Sequence, residues 1–323
     1  MNGVSVIICC YNSENRIAPV LQHLQSQVFS VSINWEIILV NNASTDKTEE
    51  KSIEQWNHNP VSDLHIVNEL KPGLMHARLK GVSVAKYDII SFIDDDNWVE
   101  ANWVEKVFSV FRISNEIGAC GGTITAAFET EPPSWFGSFK SGYAIGEQME
   151  ETGYLNEQRG YLWGAGLSVR KNIFENIQGK KYQWILTGRK GNTLLAGDDG
   201  EICKAVLLSG YKLYYKKDLS LIHFMPSGRI NEKKMVNMVY GFGFGYPYIY
   251  LFDLVIKKRS VYVIRYVLLF LDSIKSYLKY FFKRRSSLNS KVYRSYYKGI
   301  AKGAVIFFPR IFFLHKNISR LVK

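Results

Sequence analysis

The sequence predicts an α/β fold, a mostly parallel sheet with flanking helices, followed by a helical, basic, membrane-associating tail. Three observations carry this. Short β-branched runs alternate with stretches of helical periodicity over residues 1–120. Polar clusters follow directly on the ends of three of those runs, where open α/β sheets bind ligands. The charge is also split. The chain carries +12 overall, yet residues 230–323 hold 19 Lys and Arg against Glu232, Asp253 and Asp272 alone. An acidic body thus precedes a strongly basic tail, and such asymmetry points to an anionic partner. At 323 residues and 47% hydrophobic content the chain can bury a large core, which excludes a disordered protein.

The elements follow in order. Val4 to Cys9 reads as a buried strand, with Cys9 and Cys10 as small core residues. Arg16 to Gln27 has helical spacing, with Ile17, Val20, Leu21 and Leu24 on one side. Trp35 to Val40 is a second strand, and Ser44, Thr45 and Asp46 offer caps for the helix after it. Leu64 to Val67, a helix from His76 to Val84, and a strand from Asp88 to Ile93 complete the alternation. Residues 120–190 are less regular: Glu131 to Gly137 reads as a loop, and Gly164 to Val169 as a strand. A helix is expected over Ile202 to Leu208. Gly241 to Pro247 lacks the spacing of a dinucleotide fingerprint and reads as a hinge or close-packing segment. A body over 1–240, with halves at about 1–120 and 121–240, and a helical region over 241–323 are therefore expected.

The four cysteines show no paired spacing, which fits a reducing compartment, and no cationic leader precedes the first strand. Three adjacent carboxylates, Asp94, Asp95 and Asp96, follow the fourth strand. They repel one another, and a hard divalent cation, Mg²⁺ or Mn²⁺, would supply the counter-charge while leaving room for phosphate oxygens. An acidic turn is the plainer alternative.

With these residues in view, the chain resembles the family 2 glycosyltransferases of the GT-A (Rossmann-like, nucleotide-binding) fold. The resemblance runs through Val4 to Asn12, Val40 to Asp46, Gly73 to Arg78, Phe92 to Asn97, Gly197 to Glu201, Gly210-Tyr211 and His223. It implies an inverting transfer from a nucleotide-diphosphate sugar to a glycan hydroxyl, in surface polysaccharide synthesis. Tyr11 would lie against the base, with Cys9 nearby. Asn42 stands where many relatives carry an acidic residue that contacts base or ribose. Arg78 would reach the diphosphate, Asp94 the ribose side and Asp96 the metal, with Asp95 between them. Asp199 would be the catalytic base and Asp198 its neighbour, with Glu201 orienting the acceptor. His223 would join the metal or a phosphate, Arg229 the diphosphate, and Trp163 would wall the acceptor pocket.

In the tail, Arg265, Asp272, Ser276 and Lys279 share one helix face, with Val267, Phe270, Leu271, Ile274, Leu278 and Phe281 opposite, and Lys283-Arg284-Arg285 ends the stretch. This predicts helices lying on an anionic membrane at its cytoplasmic face, which in turn suggests a polyprenyl-diphosphate-linked acceptor. Packing on the body or on a second subunit is the competing reading. Nucleic-acid binding is disfavoured, because no RNP-type or zinc pattern occurs. Two rival functions are a nucleotidyltransferase, whose Gly-rich basic loop is missing after the first strand, and a non-catalytic membrane adaptor, against which the acidic motifs count.

Overall fold

The computed structural model describes residues 1–156, 159–190, 193–194, 196–283 and 287–322. The first strands are β1 (Val4–Cys10), β2 (Trp35–Asn41), β3 (Asp63–Asn68) and β4 (Ile89–Asp94). Between them run the helices α1 (Ile17–Gln25), α2 (Thr48–Asn57) and α3 (Leu74–Val84). All four strands pair in parallel, in the order β3-β2-β1-β4. Cys9 lies opposite Asp94, and Cys10 opposite Asn41. The carboxyl ends of three strands therefore deliver Tyr11, Asn42 and the acidic triplet to one rim. β1 shows why its sequence is apolar throughout: Val6 and Ile8 face one buried layer and Ile7 the other.

The second half of the sheet mixes directions. It comprises β5 (Asn97–Val99), β6 (Ile117–Phe128), β7 (Gly153–Tyr154), β8 (Ser168–Arg170) and β11 (Lys212–Met225). β8 runs antiparallel between β4 and β6, β6 pairs in parallel with β11, and β11 pairs antiparallel with β5 and β7. A separate two-stranded ribbon joins β9 (Arg189–Lys190) and β10 (Thr193–Leu194). Helices α4 (Trp103–Ile113), α5 (Lys171–Gly179) and α6 (Asp198–Leu208) cover the faces. The result is a nine-stranded mixed sheet between helical layers. The strand expected over Gly164 to Val169 is shorter than its apolar run suggests. Only Ser168–Arg170 forms the strand; Leu167 still accepts from Phe92 N–H, while Gly164 and Ala165 line the rim.

The remaining helices are α7 (Glu232–Ile256), α8 (Tyr262–Phe282), α9 (Leu288–Phe307) and α10 (Ile311–Ser319). The Gly241 to Pro247 segment lies inside α7, so a division at residue 240 would cut a continuous helix. Its glycines let two helices touch. A Cβ on Gly243 would stand 2.1 Å from the Tyr296 carbonyl of α9, and one on Gly299 would stand 2.3 Å from that of Tyr240. By length and composition α7 could cross a membrane, but half of its apolar window is buried within the protein. α8 packs on α9 through Tyr266 and Tyr280. Its Val267, Leu268, Leu271, Ile274 and Leu278 are exposed. Arg284 and Arg285, expected to end its basic flank, lie outside the described residues.

Candidate active site

The strand ends open into a cleft of about 1400 Å³. Cys9, Tyr11, Asn42, Arg78, Asp94, Asp95, Asp96, Trp163, Asp198, Asp199, His223 and Arg229 all line it. Sequence positions as far apart as 9 and 229 thus meet at one rim, and the antiparallel β5–β11 pair explains the longest reach. His223 is registered against Asn97, which sets it beside the triplet.

The triplet solves its repulsion with arginines. Asp95 accepts from Arg16 at 2.6 Å and from the Ser13 hydroxyl. Asp96 accepts from Arg229 at 2.6 Å, and Asp94 lies 4.0 Å from Arg78. Asp95 and Asp96 each have a guanidinium at hydrogen-bond distance, whereas Asp94 shares Arg78 with Asp198. Arg16 was invisible as a partner because helix α1 brings it to the triplet only after folding. Burial, then the neighbouring Asp96 charge, raise the Asp95 carboxyl to about 6.

Arg78 is 1% exposed and donates to Asp198 Oδ2 at 2.5 Å. A buried guanidinium held by one carboxylate and facing another is a rigid bridge across the cleft. Asp199 sits beside it at the first turn of α6. Its Oδ2 accepts from Gly164 N–H at 3.1 Å, and its Oδ1 from Gly200 N–H at 2.8 Å. A Cβ on Gly164 would lie 2.9 Å from Arg78 Nη2 and 3.3 Å from Asp199 Cβ, so only glycine lets these two approach this wall. Burial first, then repulsion by Asp198, raise the Asp199 carboxyl to about 6, against the pull of Arg78.

His223 can be assigned a tautomer. Its Nδ1 is 3.1 Å from the Tyr143 carbonyl, which can only accept, so Nδ1 carries the proton. The bare Nε2 then accepts from Arg229 at 3.0 Å and lies 3.4 Å from Asp96 Oδ1. Asp96 and His223 therefore present an oxygen and an imidazole nitrogen together, the donor types a divalent ion takes. Among the described residues no three His, Cys, Asp or Glu side chains are grouped to hold a metal. Substrate oxygens would have to complete any such shell.

Two expected contacts are placed differently. Asn42 is 6% exposed, and its amide is occupied. It donates to the carbonyls of Glu69 at 3.0 Å and Lys71 at 2.8 Å, and accepts from Gly73 N–H at 2.9 Å. A carboxylate could not donate to two carbonyls, which explains an amide at this position. Asn42 shapes the loop into α3 while lining the cleft. Glu201 is fully buried and does not line the cleft. It accepts from the Tyr182 hydroxyl at 2.5 Å and from the N–H groups of Ile185 and Leu186 at 3.0 and 2.7 Å. Glu201 therefore braces the 182–186 segment and does not orient an acceptor. Asp46 accepts from Thr48 and Glu14 N–H groups, as a residue at the start of α2 should. Sequence reading missed Arg16, Arg159, Tyr161, Tyr246 and Tyr296 in the cleft. No local pattern announces them.

A sequence profile described as glycosyl transferase family 2 matches residues 5–178. The chain belongs to this family. Glycosyltransferase GlyA of Streptococcus pneumoniae is 24% identical over 225 residues, covering 66% of this chain and 29% of GlyA. WfgD of Escherichia coli is a UDP-Glc:alpha-D-GlcNAc-diphosphoundecaprenol beta-1,3-glucosyltransferase. It is 31% identical over 116 residues, covering 35% of this chain and 42% of WfgD. The match thus spans less than half the length of either relative. In fold, Staphylococcus aureus TarS in complex with UDP-GlcNAc aligns with a TM-score of 0.55 at 12% identity, covering 92% of this chain and 90% of that one. The strand order and flanking helices of this family 2 chain are accordingly those of a GT-A fold.

Proposed function

We propose that this family 2 chain is an active inverting glycosyltransferase that moves a sugar from a nucleotide diphosphate to a glycan hydroxyl. The observation that carries the reading is Asp199. It is a carboxylate fixed by two backbone N–H groups, with a proton affinity raised to about 6, across the Arg78 bridge from the triplet. A sugar hydroxyl is a poor nucleophile, and a carboxylate of this strength takes its proton as the new C–O bond forms. Attack from the Asp199 side, opposite the departing diphosphate, inverts the anomeric carbon.

Asp94 and Tyr11 hold the nucleoside end. Arg78 and Arg229 supply positive charge to the diphosphate, for which guanidinium forks are suited. Asp96 and His223 fit a divalent ion as partial donors. When bound, such an ion would stabilise charge on the leaving diphosphate. Asp95, held by Arg16 and Ser13, keeps the triplet's backbone in place.

The acceptor is a lipid-linked glycan at the cytoplasmic face of a membrane. Two features support this. WfgD acts on a diphosphoundecaprenol-linked sugar. The exposed apolar face of α8 also stands beside Lys275, Lys279 and Lys283, and Phe312 of α10 is 69% exposed. The service is surface polysaccharide synthesis.

Donor binding is tested by thermal unfolding of the full chain against sugar nucleotides, starting with UDP-sugars, with Mn²⁺ or EDTA. A bound donor at a hundredfold excess over Kd should add about 2.7 kcal/mol, or about 5 °C. The gain should shrink with EDTA and in Asp96→Asn. Stabilisation by no sugar nucleotide would sink the reading.

A further inference from the structure

The acceptor end of the cleft holds a cation that the proposed chemistry does not use. Arg159 lies there beside Tyr161 and Trp163, facing Tyr246 of α7 and Tyr296 of α9. Its guanidinium carbon is 5.0 Å from the Trp163 ring centroid and 5.6 Å from that of Tyr161. Nη2 donates to Gln148 Oε1 at 3.0 Å. The same oxygen accepts from Trp163 N–H at 2.9 Å, and Gln148 Nε2 donates to the Gly122 carbonyl at 2.9 Å. Arg159 is therefore fastened in place by a glutamine that is itself 4% exposed.

Among the described residues Arg159 has no carboxylate partner. The other cleft cations Arg16, Arg78, Lys204 and Arg229 each contact a carboxylate within 3 Å. Among the described residues no carboxylate lies within 4.0 Å of Arg159, and its Nε is buried without a hydrogen-bond partner. A guanidinium cannot escape by losing its proton. Leaving it half-buried without a carboxylate costs hydration that no described residue fully returns. Cation–π contact with Trp163 offsets part of this, but it does not satisfy the N–H donors.

We propose that Arg159 forms an anion subsite of the acceptor pocket, taking a phosphate or carboxylate carried by the acceptor. Resting on the transferase reading above, this names the acceptor's chemical class as acidic. The distance suits such a role. Gly164, whose N–H holds Asp199, is only five residues further along, a span of at most about 17 Å. The anion would thus sit on the order of one or two sugar units from the reacting hydroxyl. The aromatic rings between would pack against the apolar faces of those sugars.

The test uses the full chain, with and without saturating UDP. Two matched pairs of probes are titrated: methyl glucuronide against methyl glucoside, and geranyl diphosphate against geraniol. At least one anionic probe should bind ten times more tightly than its neutral partner, whether or not UDP is present. The pair that shows the preference identifies the source, an acidic sugar or a lipid diphosphate. Arg159→Gln should abolish the preference while UDP affinity stays within twofold, and Arg159→Lys should retain part of it. Equal binding of both pairs, displacement of the anionic probe by UDP, or a preference that survives Arg159→Gln would overturn the proposal. Failure of every sugar nucleotide to bind would instead remove the donor-site reading and leave the anion preference to be judged from the titrations without UDP.

Discussion

Asn42 and Glu201 show how far a residue's type fixes its role. Both stand in polar motifs that suggest ligand contact, and both turn inward to hold backbone. Glu201 has a measurable consequence. Its removal in Glu201→Ala leaves the Ile185 and Leu186 N–H groups without an acceptor and the Tyr182 hydroxyl with only that of Tyr248, at a cost of about 3 kcal/mol in urea unfolding. Burial raises its carboxyl from 4.5 to about 7. The folded state therefore holds this proton more tightly than the unfolded chain does. Its contribution is full below pH 4.5 and is lost as pH rises toward 7. Glu201→Gln should remove that part of the pH slope, and an unchanged slope would show that the buried carboxyl is not its source. The acidic character of the triplet and of Asp198-Asp199 was legible because adjacent carboxylates are rare without a reason. Their partners were not, since Arg16, Arg78 and Arg229 reach them only through tertiary structure.

Strands β1, β2 and β4 were plain in the sequence because burial on both faces writes an unbroken apolar run. β6 was not, because its outer half is partly exposed and Gly121-Gly122 interrupts its apolar run. There, tertiary contact demands glycine: a Cβ on Gly122 would strike the Leu219 carbonyl of β11. The tail illustrates a different limit. Periodicity gave α8 two faces but could not say which one meets the protein. The answer is that Tyr266 and Tyr280 face α9, while Leu268 and Leu271, both more than half exposed, face outward. If that face meets lipid, Leu268→Glu with Leu271→Glu in the full chain should cut flotation with anionic vesicles several-fold and spare neutral ones. Equal flotation of variant and parent would assign the face to another partner.

Taken as one body, the protein joins its tail to its chemistry. α7 and α9 supply Tyr246 and Tyr296 to the same cleft that the triplet lines, so the C-terminal helices form part of its wall. α10 is tied to the segment that Glu201 braces, through Asn317 bonds to both the N–H and the carbonyl of Gln183. The exposed face of α8 and the cleft are thus parts of one packed unit.

The central claim is that Asp199 takes the acceptor's proton, and steady-state sugar transfer by the wild-type chain and Asp199→Asn tests it most directly. In the wild type, kcat/KM should fall tenfold per pH unit below about 6, as the carboxyl becomes protonated. Asp199→Asn should lower kcat by roughly a thousandfold, within the range of lost general-base catalysis, with donor affinity unchanged. Transfer by Asp199→Asn within tenfold of wild type, with the same fall toward low pH, would contradict the account.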